Sequence, residues 1–582
     1  MNLNTIVKSV LVVCLTIGFS VTALNSQETP EAMARRVAQA KLERQPTADL
    51  GNGYYRNPVI VGPGSDNTVV RVGKDFYAMA GGAGWPDQLI WHSRDLVNWR
   101  PVTRAFHSGY AGGLYASEIT YHKGRYYIYT TQVDDRRGPG GPLNHGQRSL
   151  VAVPFKDKND RTWDNVVLWA DKPEGPWSDP IKLGVYGLFD PGHVVDQQGN
   201  RFLYFNKGMM IRLAPDGLST VGDLSWPYKG WDYPKEWVVE CKCTEAPKFA
   251  YRSGYYYLVV AEGGTAGPST AHMAAVARSK SPEGPWENSP YNPLIRTKSQ
   301  EEKWWRQGHG TLIDDIAGDW WFFYTGYENG WAHYGKQSLL LPVEWTTDGW
   351  PRIRQDTTPT SLIRKPAGEN VGNGMPLSDD FSSPTLGIQW TYSPTVKPDD
   401  LFRISDGKLI MKASGKIPGS TGYQPDPAAL LGEVMRMAYA PTNSGGAQPE
   451  GAAMLSVNPF NHSYEVEVEV QIPDTAEGGL MLGAGRGGAA GAGGAFAVAG
   501  LRKGEAVAYF GRMNNYAKWA ANRIFVRIRN EKQDISFHYS PDGKTWTQFE
   551  NSTAVAGARR VSLYAVGQGE VVFRDFRYRG LD

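Results

Sequence analysis

The sequence contains very few cysteines, which limits the ways in which the chain can be cross-linked. Of its 582 residues only three are cysteine, and Cys14 lies in the N-terminal apolar segment. Cys241 and Cys243 are separated by one residue, and side chains at that spacing on an extended chain point to opposite faces. We therefore predict no disulfide between them, and no zinc site without further ligands nearby. Both cysteines are interpreted as packing residues.

The chain also has almost no net charge. Its 61 Lys and Arg residues nearly balance 59 Asp and Glu residues, which gives a formal charge of +2. This balance argues against a general attraction to nucleic acid or to anionic lipid. The expected partner is therefore small or uncharged.

Long apolar runs are missing beyond the N-terminus. No later segment approaches the roughly 20 apolar residues that a membrane-spanning helix needs. The start, "MNLNTIVKSVLVVCLTIGFSVTALNS", combines a basic residue at Lys8, an apolar stretch, and small residues at Val21 and Ala23. This pattern predicts a signal peptide over residues 1–23 and an exported protein, periplasmic or secreted, with no membrane span. Within residues 24–50, "PEAMARRVAQAKLE" predicts one helix.

Aromatic residues, by contrast, are abundant, with 20 Trp and 30 Tyr. Their flat amphipathic rings can stack on the apolar faces of sugars, or they can fill the cores of a β protein. Composition alone leaves both readings open. With 41% hydrophobic residues the chain can form two or three packed domains.

A loose repeat organises the first two thirds of the chain. A turn residue followed by an aromatic strand occurs in "GKDFYAM", "KGRYYIYTT", "QGNRFLYF", "SGYYYLVV" and "GDWWFFYTG". A second element ends on Trp99, Trp177 and Trp286 and is expected in a turn of its blade. The spacing of the five copies predicts a five-bladed β-propeller over residues 51–365, with a funnel at one end of its axis.

A linker and a second all-β domain are predicted after the propeller. Gly, Pro and Asn without hydrophobic periodicity indicate a linker at residues 366–376. The alternating runs "YEVEVEVQI", "FVRIRN" and "ISFHYS", with a hairpin at "SPDGKTW", predict an antiparallel β-sandwich over residues 377–582. The Gly/Ala-rich stretch "GAGRGGAAGAGGAFAVAG" is interpreted as a loop between strands.

Three acids occupy the same place in different blades. Asp66 precedes the first strand of blade 1, Asp190 precedes that of blade 3, and Glu245 takes this place in blade 4. Acids at equivalent positions in different blades of a propeller are expected to converge on its axis. Locally each also has a simpler reading: Glu245 could be a solvated loop charge, and Asp190 in "DPG" a turn former.

Such an arrangement suits glycoside hydrolysis. One carboxylic acid protonates the leaving oxygen, a second carboxylate activates water or attacks carbon, and a third negative charge can raise the pKa of the acid. Glu262 in "VAEGGT" is a rival acid, but it lies beyond the strand on which Glu245 is poised, and Glu245 is preferred.

The motifs around these acids resemble those of glycoside hydrolase family 43, above all its β-xylosidase-like members with a C-terminal concanavalin A-like sandwich. The resembling segments include "SDNTVVRVGKDFY", "FDPGHVVDQQGNRFLYF", "TEAPKF", "YGKQSLLLPVEWTTDGWPRI" and "LSDDFSSPTLGIQW". The resemblance implies that Asp66 is the general base, Asp190 the pKa modulator and orienter, and Glu245 the general acid. It also implies inversion of configuration, with roughly 6.5–9.5 Å between acid and base.

Other residues receive roles from the same resemblance. His309 in "GHGTLI" matches a family histidine that in some members helps to hold a hydrated calcium, although a lone histidine is also a common structural residue. Glu118 could bind a substrate hydroxyl or cap a strand. Trp85 and Trp331 could wall the pocket or pack in the core. No cofactor is required, and calcium is the candidate structural ion.

Some positions depart from the family pattern. Asn67 stands where proline is usual, Ala246 where glycine is usual, and Lys336 where arginine is common, so sugar contacts are expected to differ at Lys336.

These features predict an exported, inverting, exo-acting glycoside hydrolase that removes single sugars from oligosaccharides or polysaccharide, with β-linked xylose the first choice. An α-L-arabinofuranosidase is the alternative within the family. A glycan-binding protein on a propeller that has lost its activity is the rival from another class.

Overall fold

The computed structural model describes residues 42–62, 66–80, 89–105, 113–133, 163–331, 334–392, 398–417, 452–483, 496–510, 513–554 and 560–581. The predicted signal peptide, the predicted N-terminal helix apart from its last residues, and Trp85 lie outside these ranges. Among the described residues, five antiparallel sheets of four or five strands follow one another along the chain.

The blades begin after a short strand, β1 (Tyr54–Tyr55). Blade 1 contains β2 (Thr68–Val72), β3 (Asp75–Ala80), β4 (Leu89–Ser93) and β5 (Arg100–Arg104). Blade 2 contains β6 (Gly113–His122), β7 (Arg125–Val133), β8 (Trp163–Ala170) and β9 (Ile181–Tyr186). Blade 3 contains β10 (Gly192–Val195), β11 (Arg201–Tyr204), β12 (Met210–Leu213) and β13 (Thr220–Ser225), with a 3-10 turn at Asn206–Gly208.

The last two blades complete the ring. Blade 4 contains β14 (Thr244–Arg252), β15 (Tyr255–Glu262), β16 (Met273–Ser279), β17 (Glu287–Asn288) and β18 (Ile295–Arg296). Blade 5 contains β19 (Trp304–Asp314), β20 (Trp320–Glu328), β21 (Lys336–Trp345) and β22 (Pro351–Ile353). The first strands of neighbouring blades contact one another all the way round, so they line the axis.

The aromatic repeat in the sequence corresponds to one place in each blade. The five aromatic segments form the second strands β3, β7, β11, β15 and β20. Trp99, Trp177 and Trp286 were predicted in a turn of their blades, and each lies in the segment between the third and fourth strands. The five-bladed propeller is therefore confirmed, and the aromatic side chains largely fill the spaces between its sheets.

Polar contacts close the ring between the first and last blades. Arg71 on β2 forms an ion pair of 2.7 Å with Asp314 on β19. The Asn67 side chain donates a hydrogen bond of 3.1 Å to the carbonyl oxygen of Tyr324 on β20. At the outer edge, β1 pairs with a short strand, β23 (Ile363–Arg364), that follows blade 5. Residues from both ends of the propeller are thus joined.

The C-terminal part is an antiparallel β-sandwich, as predicted, preceded by a short helix, Pro398–Leu401. One sheet is formed by β24 (Phe402–Ser405), β25 (Lys408–Lys412), β27 (Ser463–Gln471), β32 (Arg523–Glu531), β33 (Asp534–Ser540), β34 (Thr547–Ala554) and β36 (Glu570–Gly580). The other is formed by β26 (Ala453–Val457), β28 (Ala476–Gly483), β29 (Phe496–Arg502), β30 (Glu505–Phe510), β31 (Met513–Lys518) and β35 (Arg560–Gly567).

Two predictions about the chain are wrong in detail. Phe496–Arg502 is strand β29, so the Gly/Ala-rich stretch is not a loop throughout, and its residues 484–495 lie outside the described ranges. Cys241 and Cys243 form a disulfide. The chain bends at Lys242 instead of running extended, and the two Cα atoms lie 5.2 Å apart, compared with roughly 6.6 Å on a strand.

The propeller and the sandwich share one buried hydrophobic cluster. Tyr334 of the propeller donates a hydrogen bond to the carbonyl oxygen of Asn461 in the sandwich. A side chain at Gly62 would collide with the ring of Phe460, since its Cβ would lie 2.3 Å from that ring. The sandwich therefore packs against the propeller. In the described part of the chain, no helix has the length and apolar character needed to cross a membrane.

Candidate active site

The three acids predicted to converge lie at the starts of first strands. Asp66 lies two residues before β2, Asp190 lies two residues before β10, and Glu245 is the second residue of β14. Asp190 is 6% exposed. The charges of Asp66 and Asp190 each influence the ionisation of Glu245, so the three groups form one cluster.

Local backbone irregularities aim these side chains. The register of β14 against β15 shifts between Glu245 and Lys248, and Ala246 within this bulge has a φ of 53°. Asp190 has a φ of 57° and His309 on β19 a φ of 45°. Left-handed backbone costs an ordinary residue roughly 1–2 kcal/mol, and β-bulges redirect side chains at barrel rims and active sites. Strained backbone thus recurs in blades 3, 4 and 5 near the axis.

Blades 3 and 4 approach each other closely at this point. The backbone N–H of Ala246 donates a hydrogen bond of 3.1 Å to Oδ2 of Asp190. A Cβ at Gly192 would lie 1.9 Å from the carbonyl oxygen of Pro247, so only glycine fits. These contacts fix Asp190 beside the segment that carries Glu245.

Asp66 is held as an anion by a lysine and a histidine. Lys336 forms an ion pair with Oδ1 of Asp66, and Nδ1 of His309 lies 3.0 Å from the same oxygen. Burial by itself would raise the pKa of Asp66, but the Lys336 cation and the His309 contact hold that pKa well below its ordinary value. Because an ionised carboxylate only accepts hydrogen bonds, Nδ1 of His309 is the donor.

The other two acids behave in the opposite way. Burial raises the pKa of Glu245 to about 8, and the neighbouring charge of Asp190 adds to the rise while Lys336 opposes it. Burial and the charge of Asp66 raise the pKa of Asp190 to about 7, against the lowering effect of Lys336 and Lys248. At neutral pH the cluster therefore contains an ionised Asp66 and a protonated Glu245, which can act as a base and an acid.

His309 has one carboxylate, that of Asp66, as its contact in the site. Burial lowers the pKa of His309 to about 4, although Asp66 opposes this, so the ring is neutral at pH 7. No group of three or more His, Cys, Asp or Glu residues suited to a metal ion occurs among the described residues. Calcium prefers several oxygen ligands, and these residues alone do not form a cage for it. The His309 contact to Asp66 accounts for its place in the site.

Glu118 lies inside a strand and is paired with a lysine. It lies within β6, is 8% exposed, and its Oε2 atom lies 2.6 Å from Nζ of Lys248 on β14. Thr68 on β2 donates a hydrogen bond of 2.9 Å to the same oxygen. The carboxylate is therefore engaged within the protein.

Trp331 lies at the boundary with the sandwich. Its ring stacks on His462 with 3.9 Å between centroids and 13° between planes. The ring of His462 also lies 3.0 Å from Oε2 of Glu328, measured at its Nε2 atom. The other predicted pocket wall, Trp85, lies outside the described residues.

The rival acid Glu262 is enclosed. It is 1% exposed and accepts hydrogen bonds from the Thr244 hydroxyl at 3.0 Å and from the backbone of Trp231 at 3.2 Å. Burial raises the pKa of Glu262 to about 8, against the lowering effect of these bonds. Its contacts anchor the loop before β14, and Glu245 remains the better candidate for the acid.

Three features near the cluster were missed from the sequence. Lys248 stands in the "TEAPKF" motif itself, and its position on an inner strand could have suggested a buried cation. The second is a cavity between the propeller and the sandwich, which Lys336 lines together with Ile60, Gly62 and Trp91 of the propeller and Asn458 and Phe460 of the sandwich, among others. The third is the disulfide of Cys241 and Cys243, which precedes Glu245. Nothing in the alternation of the sandwich strands indicated which of their ends faces the propeller.

Comparison with known proteins gives a consistent result. The pattern of Glycosyl hydrolases family 43 matches residues 55–351. A Vibrio protein named xylan 1,3-beta-xylosidase is 30% identical over 62% of this chain and 69% of its own length. A Bacteroides ovatus protein named non-reducing end alpha-L-arabinofuranosidase is 30% identical over 59% of this chain and 62% of its own length.

Solved structures agree on the fold. A family 43 protein of Bacillus licheniformis superposes with a TM-score of 0.72 at 22% identity, over 90% of this chain and all of that one. A xylan beta-1,4-xylosidase of Bacillus halodurans superposes with a TM-score of 0.69 at 22% identity, over 90% of this chain and 99% of that one. Since the family pattern covers nearly all of the propeller that carries the acid cluster, this chain belongs to glycoside hydrolase family 43 and is a glycoside hydrolase.

Proposed function

We propose that this protein is an inverting, exo-acting β-xylosidase that releases single xylose residues from the non-reducing ends of xylan-derived oligosaccharides. The observation that carries the proposal is the split ionisation of one cluster, in which Asp66 is held as an anion while Glu245 keeps its proton at neutral pH. Inverting hydrolysis needs this combination of base and acid.

In this mechanism Asp66 takes a proton from the attacking water as the water oxygen bonds to the anomeric carbon. Glu245 gives its proton to the glycosidic oxygen as the bond between that oxygen and the anomeric carbon breaks. Asp190 orients Glu245 through the Ala246 backbone and, when ionised, makes ionisation of Glu245 costlier. The product sugar leaves with inverted configuration, Asp66 is left protonated, and Glu245 is left ionised.

The choice of xylose is supported by the names of similar proteins. The Vibrio relative and a 26% identical Bacillus subtilis relative are both named xylosidases. An α-L-arabinofuranosidase is the second candidate, because the Bacteroides ovatus relative with that name is as similar to this chain as the Vibrio relative.

The test is chromatography of the monosaccharides released from xylo-, arabino- and galacto-oligosaccharides by wild type and by Glu245→Gln. We expect xylose from wild type, with α-xylose as the first anomer from a β-xyloside by NMR. Loss of a general acid typically costs 10²- to 10⁴-fold, so Glu245→Gln should lose turnover of unactivated substrate by about that factor. An aryl xyloside with a good leaving group serves as the control, since it needs little protonation.

The outcomes separate the claims. Release of arabinose in place of xylose would leave the proposed mechanism unchanged and would change the proposed substrate. A first product of retained configuration would overturn inversion, and normal turnover by Glu245→Gln would overturn its role as the acid.

We also propose that the protein is exported. The N-terminal apolar segment supports this, as does the Cys241–Cys243 disulfide, because disulfides persist mainly in oxidising compartments. N-terminal sequencing of the protein recovered from outside the cytoplasm should begin at Leu24, and recovery of an uncleaved chain from the cytoplasm alone would refute export.

A further inference from the structure

A buried ion pair crosses the axis of the propeller close to the three carboxylates. It joins Nζ of Lys248 on blade 4 to Oε2 of Glu118 on blade 2, at 2.6 Å. The two side chains are 1% and 10% exposed. Blades 2 and 4 are not neighbours in the ring, since blade 3 lies between them in sequence and in contact order. The pair therefore connects strands that the sheets themselves do not connect.

Both members of the pair also bind the segments that carry the acids. Thr68, two residues after Asp66, donates to Glu118 at 2.9 Å. Lys248 donates a hydrogen bond of 3.2 Å to the carbonyl oxygen of Pro191, the residue after Asp190. Lys248 itself lies three residues after Glu245 on the same bulged strand. One network thus contacts the chain segments that carry Asp66, Asp190 and Glu245.

Stability gives little reason for charges at this place. Apolar residues of similar volume often replace a buried ion pair with no loss of stability, whereas removal of one partner leaves an unpaired buried charge and costs several kcal/mol. The charged pair instead fixes geometry, because a short ion pair with further hydrogen bonds holds the strands that it joins at a set separation.

We propose that Glu118 and Lys248 are positioning residues for the hydrolysis, and that their ion pair sets the relative places of Asp66, Asp190 and Glu245. This inference rests on the proposed function, in which those three carboxylates perform the reaction. It gives Glu118 a role different from the sugar contact expected from the sequence.

The test measures kcat, KM and the melting temperature of Glu118→Gln, Lys248→Met and the double variant on xylobiose. We expect each single variant to lose kcat by about 100-fold with KM changed less than about 3-fold, since small misplacements of reacting groups have that effect. In the double variant no charge is left unpaired, so the melting temperature should recover while kcat stays low. A purely structural pair would instead recover kcat together with stability.

Glu477→Gln is the matched control. Glu477 is fully buried in the sandwich and forms an ion pair of 2.5 Å with Arg502. Its loss should lower the melting temperature without changing kcat. If a single variant of the propeller pair fails to fold, Thr68→Val removes only the hydrogen bond to Glu118 and should lower kcat by about 10-fold.

The two proposals fail differently. Absence of sugar release by wild type would refute the proposed function. Active wild type, inactive Glu245→Gln and a folded Glu118→Gln with normal kcat would refute the positioning role alone, as would a normal kcat in Thr68→Val.

Discussion

Replacement of Lys336 by methionine should move both limbs of the pH–rate profile upward. Lys336 is the cation that pairs with Asp66, and their side chains are 10% and 18% exposed. With the cation removed, burial raises the pKa of Asp66, and the His309 contact is left to oppose it. Asp66 will then become protonated at a higher pH than in wild type, and its protonated form cannot act as the base.

The size of the effect follows from Coulomb's law. Two unit charges about 4 Å apart attract by about 4 kcal/mol at an effective dielectric constant near 20. At about 1.4 kcal/mol for each pH unit, the acid limb of kcat/KM should rise by about two to three pH units. Lys336 also lowers the pKa of Glu245, so its loss should move the alkaline limb in the same direction.

The assay is kcat/KM on xylobiose between about pH 4 and pH 10 for wild type, Lys336→Met and Lys336→Arg. The arginine variant keeps the charge and should keep the acid limb near that of wild type. Lys365→Met is the matched control, because Lys365 also bridges two acids, the half-buried Asp49 and the buried Asp95, by ion pairs of 2.6 and 2.9 Å. An acid limb of folded Lys336→Met at the same pH as wild type would refute the reasoning.

Two further predictions concern the contact between blades 3 and 4. Asp190→Asn removes a negative charge that raises the pKa of Glu245, so the alkaline limb of kcat/KM should move to lower pH by about one unit. An alkaline limb that stays in place or moves to higher pH would show that the charge of Asp190 does not raise the pKa of Glu245. Gly192→Ala would put a methyl group against the carbonyl oxygen of Pro247, so chemical denaturation should show a free energy of unfolding lower by about 1–3 kcal/mol. In the same variant kcat should fall by a larger factor than KM changes. An unchanged kcat would show that this close approach does not position Asp190.

The propeller could be predicted from the sequence because its signals are local and repeated. An aromatic strand after a turn, and a tryptophan before the fourth strand, recur at blade length and occupy the same places in the structure. The position of each acid relative to the repeat was also enough to place Asp66, Asp190 and Glu245 at the starts of inner strands. In a propeller, equivalent positions in sequence become neighbours at the axis.

Contacts across the axis could not be predicted in the same way. The pairing of Glu118 with Lys248 depends on which inner-strand side chains face each other, and bulges at Ala116 and Ala246, with φ of 44° and 53°, change that direction. The disulfide could not be predicted for a related reason, because Lys242 lies in a bend and the chain there is not extended. Local departures from regular strands therefore account for the unpredicted ion pair and for the wrong prediction about the cysteines.

The positions of the two lysines explain why similar carboxyls in one cluster ionise differently. Lys336 pairs with Asp66 and Lys248 pairs with Glu118, so both buried cations are committed to acids on blades 1 and 2. Among the described side chains, Asp190 and Glu245 have no lysine or arginine within ion-pair distance, and burial then favours their protonated forms. An acid and a base at neutral pH thus result from the distribution of two cations among four carboxylates.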